Sequence, residues 1–235
     1  MSIGAVLALG ALAFAVSGCG GGDGTNDVDS EFEVLLPKLV LAEADLPTGV
    51  SRVSAFFSTN GDIADAALDP EAELVKLVGW GRVLGYDAQF EPGPEAPTDI
   101  EVQGVQSTAS AYASTRGAVD SFAEAASGAR ATDWTKRYPG VGDLEAEEVE
   151  RSGLADEHVW FRISGFDESS GRLVIDDQVA FRVGSIRGFL RVVTVFDPSE
   201  ARDVYEDKIE EWVRLLADRM AAATIPVEAS ASATP

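Results

Sequence analysis

The chain is short of several things that chemistry commonly needs. It has one Cys, one His and two Met among 235 residues. A single Cys excludes a disulfide framework and any thiolate-cluster metal site. A single His excludes a multi-histidine zinc site. Basic residues are also scarce, with 18 Lys and Arg against 40 Asp and Glu and a formal net charge of −22. Binding to nucleic acid phosphates needs a basic surface, so nucleic acid is not an expected partner. No cofactor motif is present, and no metal or cofactor is expected. What remains is ordinary for a globular protein: 46% hydrophobic and 25% charged residues. Wholesale disorder does not fit that composition.

The placement of the one Cys is informative. Residues 3–16, IGAVLALGALAFAV, carry no charge and run directly into Ser17-Gly18-Cys19 and a Gly-rich stretch. The apolar run is shorter than the roughly 20 residues of a membrane span. It fits a secretory signal segment closed by small residues.

The tetrapeptide Val16-Ser17-Gly18-Cys19 resembles the lipobox of bacterial lipoproteins. The resemblance implies that residues 1–18 are a signal peptide and that Cys19 is lipidated. The expected localisation is then the extracytoplasmic face of the cell membrane, with the membrane as partner through the lipid on Cys19. Residues 19–32 are Gly-rich and acidic and read as a flexible tether. A dozen such residues reach about 20 Å. Residues 223–235, rich in Ala, Ser, Thr and Pro, read as a disordered tail.

The expected single domain is residues 33–222. A chain of that size buries about 70% of its unfolded surface, enough for one core. Alternating hydrophobicity marks strands at Val53–Ser58, Arg82–Phe90, Ile100–Ala109, Val159–Ile163, Leu173–Val183 and Phe189–Phe196. Phe189–Phe196 is apolar on both faces and belongs mid-sheet. Asn60-Gly61 reads as the end of the first strand. Asp69-Pro70 starts a helix that Gly79 stops, with Leu74, Val75, Leu77 and Val78 at helical spacing. Ser114 or Thr115 caps another helix, which Gly128 ends. The last helix carries a stripe of Val204, Tyr205, Ile209, Trp212, Val213, Leu216 and Met220. The order is β-α-β-β-α-β-β-β-α. Short hairpins between strands make the class α+β, with an antiparallel sheet of about six strands, covering helices and a C-terminal amphipathic helix.

Candidate sites are few. His158 has no acid and nucleophile in any recognisable pattern, so it reads as a half-exposed strand residue. The run Asp143, Glu145, Glu147, Glu148 and Glu150 alternates with Leu144, Ala146 and Val149. It reads as a charged edge strand, not a calcium loop. A hairpin loop centred on Ser169 would set Arg162 opposite Asp176. An anion site there would need more than one converging Arg. Trp160 shares a face with Arg162, and either floors a groove or packs under the final helix. Trp160, Arg162 and Arg182 are therefore the candidate groove or ligand face.

The segments Ala44-Asp45-Leu46-Pro47-Thr48-Gly49-Val50, Gly81–Phe90 and Val179–Gly184 are similar to bacterial surface lipoproteins of unknown function. The Asp45-Leu46-Pro47-x-Gly49 turn also resembles extracytoplasmic sensor domains of bacterial Ser/Thr kinases and PsbP-like lipoproteins. The function expected is a non-catalytic, membrane-tethered binding or sensor domain whose partner is an envelope protein or small hydrophobic ligand. Two alternatives are a carrier of lipid or small hydrophobes, which needs an enclosed apolar cavity, and a secreted hydrolase, which needs two facing carboxylates.

Overall fold

The structure is a computed structural model and describes residues 27–97, 101–197 and 203–223. The lipobox, Cys19 and the C-terminal tail lie outside these residues. Seven strands form one antiparallel sheet: β1 (Val50–Ser58), β2 (Arg82–Pro92), β3 (Val102–Tyr112), β4 (Val141–Glu148), β5 (Glu157–Asp167), β6 (Leu173–Val183) and β7 (Ile186–Phe196). Their order across the sheet is β1-β2-β3-β7-β6-β5-β4. Five helices accompany them: α1 (Asp27–Leu35), α2 (Asn60–Asp65), α3 (Pro70–Gly79), α4 (Thr115–Arg130) and α5 (Asp203–Ala222).

The α+β class and the antiparallel sheet are as expected, but the sheet has seven strands instead of about six. The strand left out of that count is β4, the acidic run read as a charged edge strand. It forms one margin of the sheet and pairs only with β5. A bulge between Gly142 and Glu145 bends it, and Asp143 takes a positive φ of 49° there. The opposite margin, β1, carries a single charge, Arg52, and exposes Val53 and Phe57. β7 is the middle strand, as its apolar pattern predicts.

Local details differ from the expectations where short-range chemistry wins. Asn60-Gly61 does not simply end β1; it opens α2. Thr59 caps that helix by accepting from the Asp62 amide, and Asp62 bonds back to Thr59. Ser114 caps α4 through the Gly117 amide, and α4 passes Gly128 to end at Arg130. In α3 only Leu77 of the four spaced apolar residues is buried. Helix α1 begins at Asp27, so its first residues fall inside the segment read from composition as tether.

The two faces of the sheet differ. One is apolar and closed. It carries Trp160, Val179, Leu190, Phe181, Val192 and Phe90, covered by the stretch from Phe32 to Leu41 and by Ile209, Trp212, Val213 and Leu216 of α5. The Trp212 indole donates to the Asp45 carbonyl at 2.8 Å, and Arg219 pairs with the Asp45 carboxylate at 3.0 Å. These contacts tie the end of the chain to its start.

Asp45 makes that tie pH-sensitive. Burial alone would raise its pKa, but the bonds from Arg219 and the Ala42 amide outweigh it and hold the carboxyl below 3.8. A depressed folded pKa means stability that is present above the unfolded value and lost as pH falls through the folded one. Arg219→Gln is expected to narrow the difference in urea midpoint between pH 7 and pH 3. An unchanged difference would show that the pair does not contribute.

Candidate functional site

The second face is where polar chemistry collects. Parity along each strand assigns it. Arg162 lies opposite Asp177, not Asp176, because the β5–β6 hairpin pairs Phe166 with Leu173. The loop therefore centres between Ser169 and Ser170. A shift of one residue moves a side chain to the other face. Trp160 and Arg162 consequently stand on the closed face, with Asp177. Arg182 and Asp176 stand on the polar face. The expected groove of Trp160, Arg162 and Arg182 is thus not one surface.

Trp160 packs under α5 and is fully buried. Its indole donates to Asp177 Oδ1 at 2.6 Å, and Arg162 Nε reaches the same oxygen at 2.9 Å. Arg162 also bonds Glu206 of α5 at 2.7 Å. Arg151 pairs with Glu206 as well and stacks, like Arg162, over the Trp160 ring. Burial pushes the Asp177 carboxyl up, and the Arg162 charge opposes that only in part. This constellation joins β5, β6 and α5 through the Trp160 indole, the Arg162 guanidinium and the carboxylates of Asp177 and Glu206. His158 is half-buried on the same face, in register with Phe181.

On the polar face, the register rows run across the sheet. One row is Ser54, Gln89, Gln106, Arg191 and Gln178, drawn from β1, β2, β3, β7 and β6. All five are half-buried. Arg191 makes a bidentate pair with Asp176, with Nη2 at 2.6 Å and Nε at 2.9 Å from Oδ2. Tyr138 donates to the same carboxylate at 2.6 Å, and Gln178 donates to the Tyr138 hydroxyl at 3.0 Å. Burial and the Asp176 charge together push the Tyr138 phenol far up.

Asp87 in the next row behaves differently. Its Oδ2 accepts from Gln106 at 2.6 Å and Thr108 at 2.7 Å, while Oδ1 has no partner. Asp87 and Asp176 are separated by β3 and β7, which is three strand spacings or about 14 Å. A glycosidase pair needs about 5–10 Å. These two carboxylates therefore cannot work as an acid and a base on one bond.

A further row holds Ser58, Gly85, Ser110, Arg187, Arg182 and Glu157. Arg182 is spoken for: it pairs with Glu157 at 2.5 Å and Asp156 at 3.1 Å. Arg187 instead bonds Ser121 of α4, Oγ at 2.8 Å and the carbonyl at 3.3 Å. Arg82 enters the same row from the start of β2. Its guanidinium donates to the Ser58 carbonyl, the Ser58 hydroxyl and Asn60 Oδ1 at 2.8–3.1 Å. Gly85 makes the room: a Cβ there would overlap Arg82 Nη2 and lie 2.6 Å from Ser58 Oγ and 3.0 Å from Ser110 Oγ. Burial pushes the Arg82 pKa down to about 10, and the nearby Arg187 charge adds to the effect.

Sequence reasoning did not single out Arg82, Arg187 or Asp87. No spacing signal marks an arginine that lacks an acid, because the acids that could have met it come from remote strands. Among the described residues no group of three or more His, Cys, Asp or Glu side chains is placed to hold a metal ion. No described helix is long and apolar enough to cross a membrane.

No family model matches the chain, and no curated protein matches it in sequence. Among solved structures, it is similar to the extracellular domain of PknH from Mycobacterium tuberculosis, with a TM-score of 0.47 and 8% identity. The match covers 79% of this chain and 96% of that one.

Proposed function

We propose that this chain is a non-catalytic binding domain held at the extracytoplasmic face of a membrane by lipid on Cys19. The observation that carries the reading is the position of the one Cys. It ends an uncharged apolar run in Val16-Ser17-Gly18-Cys19, where a lipid-modified Cys would stand. The residues around it divide as anchor signal 1–18, a tether that gives way to helix α1 and the core residue Phe32, a domain that runs on to 222, and tail 223–235. The net charge of −22 repels anionic headgroups, so the lipid and not the protein surface supplies the attachment.

The binding role draws on the contrast between the two faces. The apolar face is filled side chain against side chain by α5 and the Phe32–Leu41 stretch. That favours the second face as the surface offered to a ligand, not an apolar carrier cavity, because Gln89, Gln106, Arg187 and Arg191 are only half-buried there beside the packing of Phe122 and Ala126 of α4 on Val159, Phe161 and Ile163. Replacing Cys19 by Ser is expected to move the protein from the membrane fraction to the soluble fraction of lysed cells. Retention of Cys19→Ser in the membrane fraction would overturn the anchoring.

A further inference from the structure

Acidic residues outnumber basic ones by 40 to 18, so a sheltered arginine without a carboxylate is unexpected. Among the described residues most arginines do meet one, including Arg162, Arg182 and Arg191. Arg52, Arg137 and Arg172 do not, but they are exposed and water solvates them. Arg82 and Arg187 are the two sheltered exceptions. Arg82 is 5% exposed and Arg187 half-buried, and neither has an acid within ion-pair distance.

Moving a guanidinium out of water without a counter-charge is costly. Here two of them share one corner. Ser110 links them: it is in register with Arg187 on β7 and with Gly85 on β2, over which the Arg82 tip lies. Asp62 attracts Arg82 from a distance, but its Oδ2 is held by Thr59. Asp87, one row away, gives its Oδ2 to Gln106 and Thr108. Donors remain. Arg187 uses only Nη1 within the protein, leaving Nε and Nη2. Ser58 Oγ accepts from Arg82 and can turn its own proton outward. Ser110 makes no side-chain hydrogen bond in the described residues.

We propose that Arg82 and Arg187, with the Ser58 and Ser110 hydroxyls, form a site for the phosphate group of a phosphorylated ligand. Two guanidiniums and two hydroxyls on different strands offer donors from several directions. A planar carboxylate has two oxygens to fill them; a tetrahedral phosphate has three or four. The half-exposed Arg187 is the open side of the site, and Arg82 is its floor. Gly85 is required because any side chain there would take the space of the Arg82 guanidinium. This gives the binding role proposed above its ligand chemistry, and rests on that reading. The phosphate belongs either to a soluble molecule or to a lipid headgroup.

The test uses the full chain carrying Cys19→Ser, so that no lipid anchor contributes. Inorganic phosphate is titrated at constant ionic strength, with chloride as the control, and the unfolding temperature and amide chemical shifts are followed. In parallel the protein is sedimented with phosphatidylglycerol vesicles and with phosphatidylcholine vesicles. A saturable phosphate response assigns a soluble ligand. Capture by phosphatidylglycerol vesicles alone assigns a headgroup. In either arm Arg187→Gln, at a half-exposed strand position, is expected to keep the native circular dichroism spectrum and to weaken binding by about 10- to 100-fold. Ser110→Ala is expected to weaken it less. Absence of both responses, or an Arg187→Gln variant that binds as well as the parent, would overturn the site. Fractionation of the Cys19 protein is read separately, so loss of the anchor and loss of the phosphate site are distinguishable.

Discussion

Trp160→Ala is expected to lower the stability of the domain by about 3–5 kcal/mol, the range for truncating a buried aromatic side chain. The side chain is fully buried on the closed face, within the same core as Trp212, Leu216 and Leu190. Its loss leaves a cavity that α5 can close only by tilting. It also removes the indole donor at 2.6 Å from Asp177 Oδ1. Arg162 would then be the one side chain bonded to that carboxylate. The Asp177 carboxyl is already pushed up by burial, and the lost donor pushes it further. A raised folded pKa means a penalty that grows as pH rises through the window between the unfolded and folded values. The deficit in Trp160→Ala should therefore be larger at pH 7 than at pH 4. Trp160→Phe separates the parts. It keeps a ring but not the donor, and should cost about 1–3 kcal/mol. Urea unfolding followed by circular dichroism measures all three proteins. A Trp160→Ala midpoint equal to that of the parent would refute the account.

Asp176→Leu is expected to cost about 3 kcal/mol, near the lower end for breaking a buried ion pair. Asp176 is 1% exposed and receives Arg191 through two nitrogens and Tyr138 through its hydroxyl. The leucine leaves the Arg191 guanidinium without its counter-charge and the Tyr138 hydroxyl with Gln178 alone. Arg191 keeps some access to water, which moderates the loss. Two further signs should accompany it. Tyr138 sits in the connection before β4, so amide exchange between Tyr138 and Leu144 should quicken. Its phenol should titrate at lower pH, since the Asp176 charge helps hold it up. The double variant Asp176→Leu, Arg191→Leu should be more stable than the sum of the two single losses, because it leaves no unpaired charge. Additive losses would show that the two side chains do not act as a pair.

Much of the fold was legible because periodicity reports burial. β5, β6 and β7 alternate clearly, and the α5 stripe of Ile209, Trp212, Val213 and Leu216 is the cover of the closed face. β4 was legible too, as a charged edge strand in which Asp143, Glu145 and Glu147 alternate with Leu144 and Ala146, but the count of about six omitted it because a sheet margin buries little apolar surface. The misplaced Arg162–Asp176 pairing came from half a residue in the loop centre, which pattern alone does not resolve. That half residue changes the parity of the whole hairpin, and with it the grouping of Trp160, Arg162 and Arg182. The phosphate corner has no local signature. Arg82, Ser110 and Arg187 come from three strands, and what distinguishes them is a carboxylate that does not arrive.

The unequal margins of the sheet set a limit on growth. In the language of polymer chemistry, a sheet with two bare edges is a bifunctional monomer and can propagate indefinitely. Here the β4 edge is terminated: Asp143, Glu145, Glu147 and Glu148 line it, and a bulge bends it. The β1 edge is guarded less heavily: it carries one charge, Arg52, an irregularity between Arg52 and Ser54, and an Arg52 amide that donates to Glu43 at 2.9 Å. In those terms the molecule has one weakly capped end. If strand pairing at β1 ever joined two copies, both of those ends would be consumed, and the chain reaction would stop at a pair.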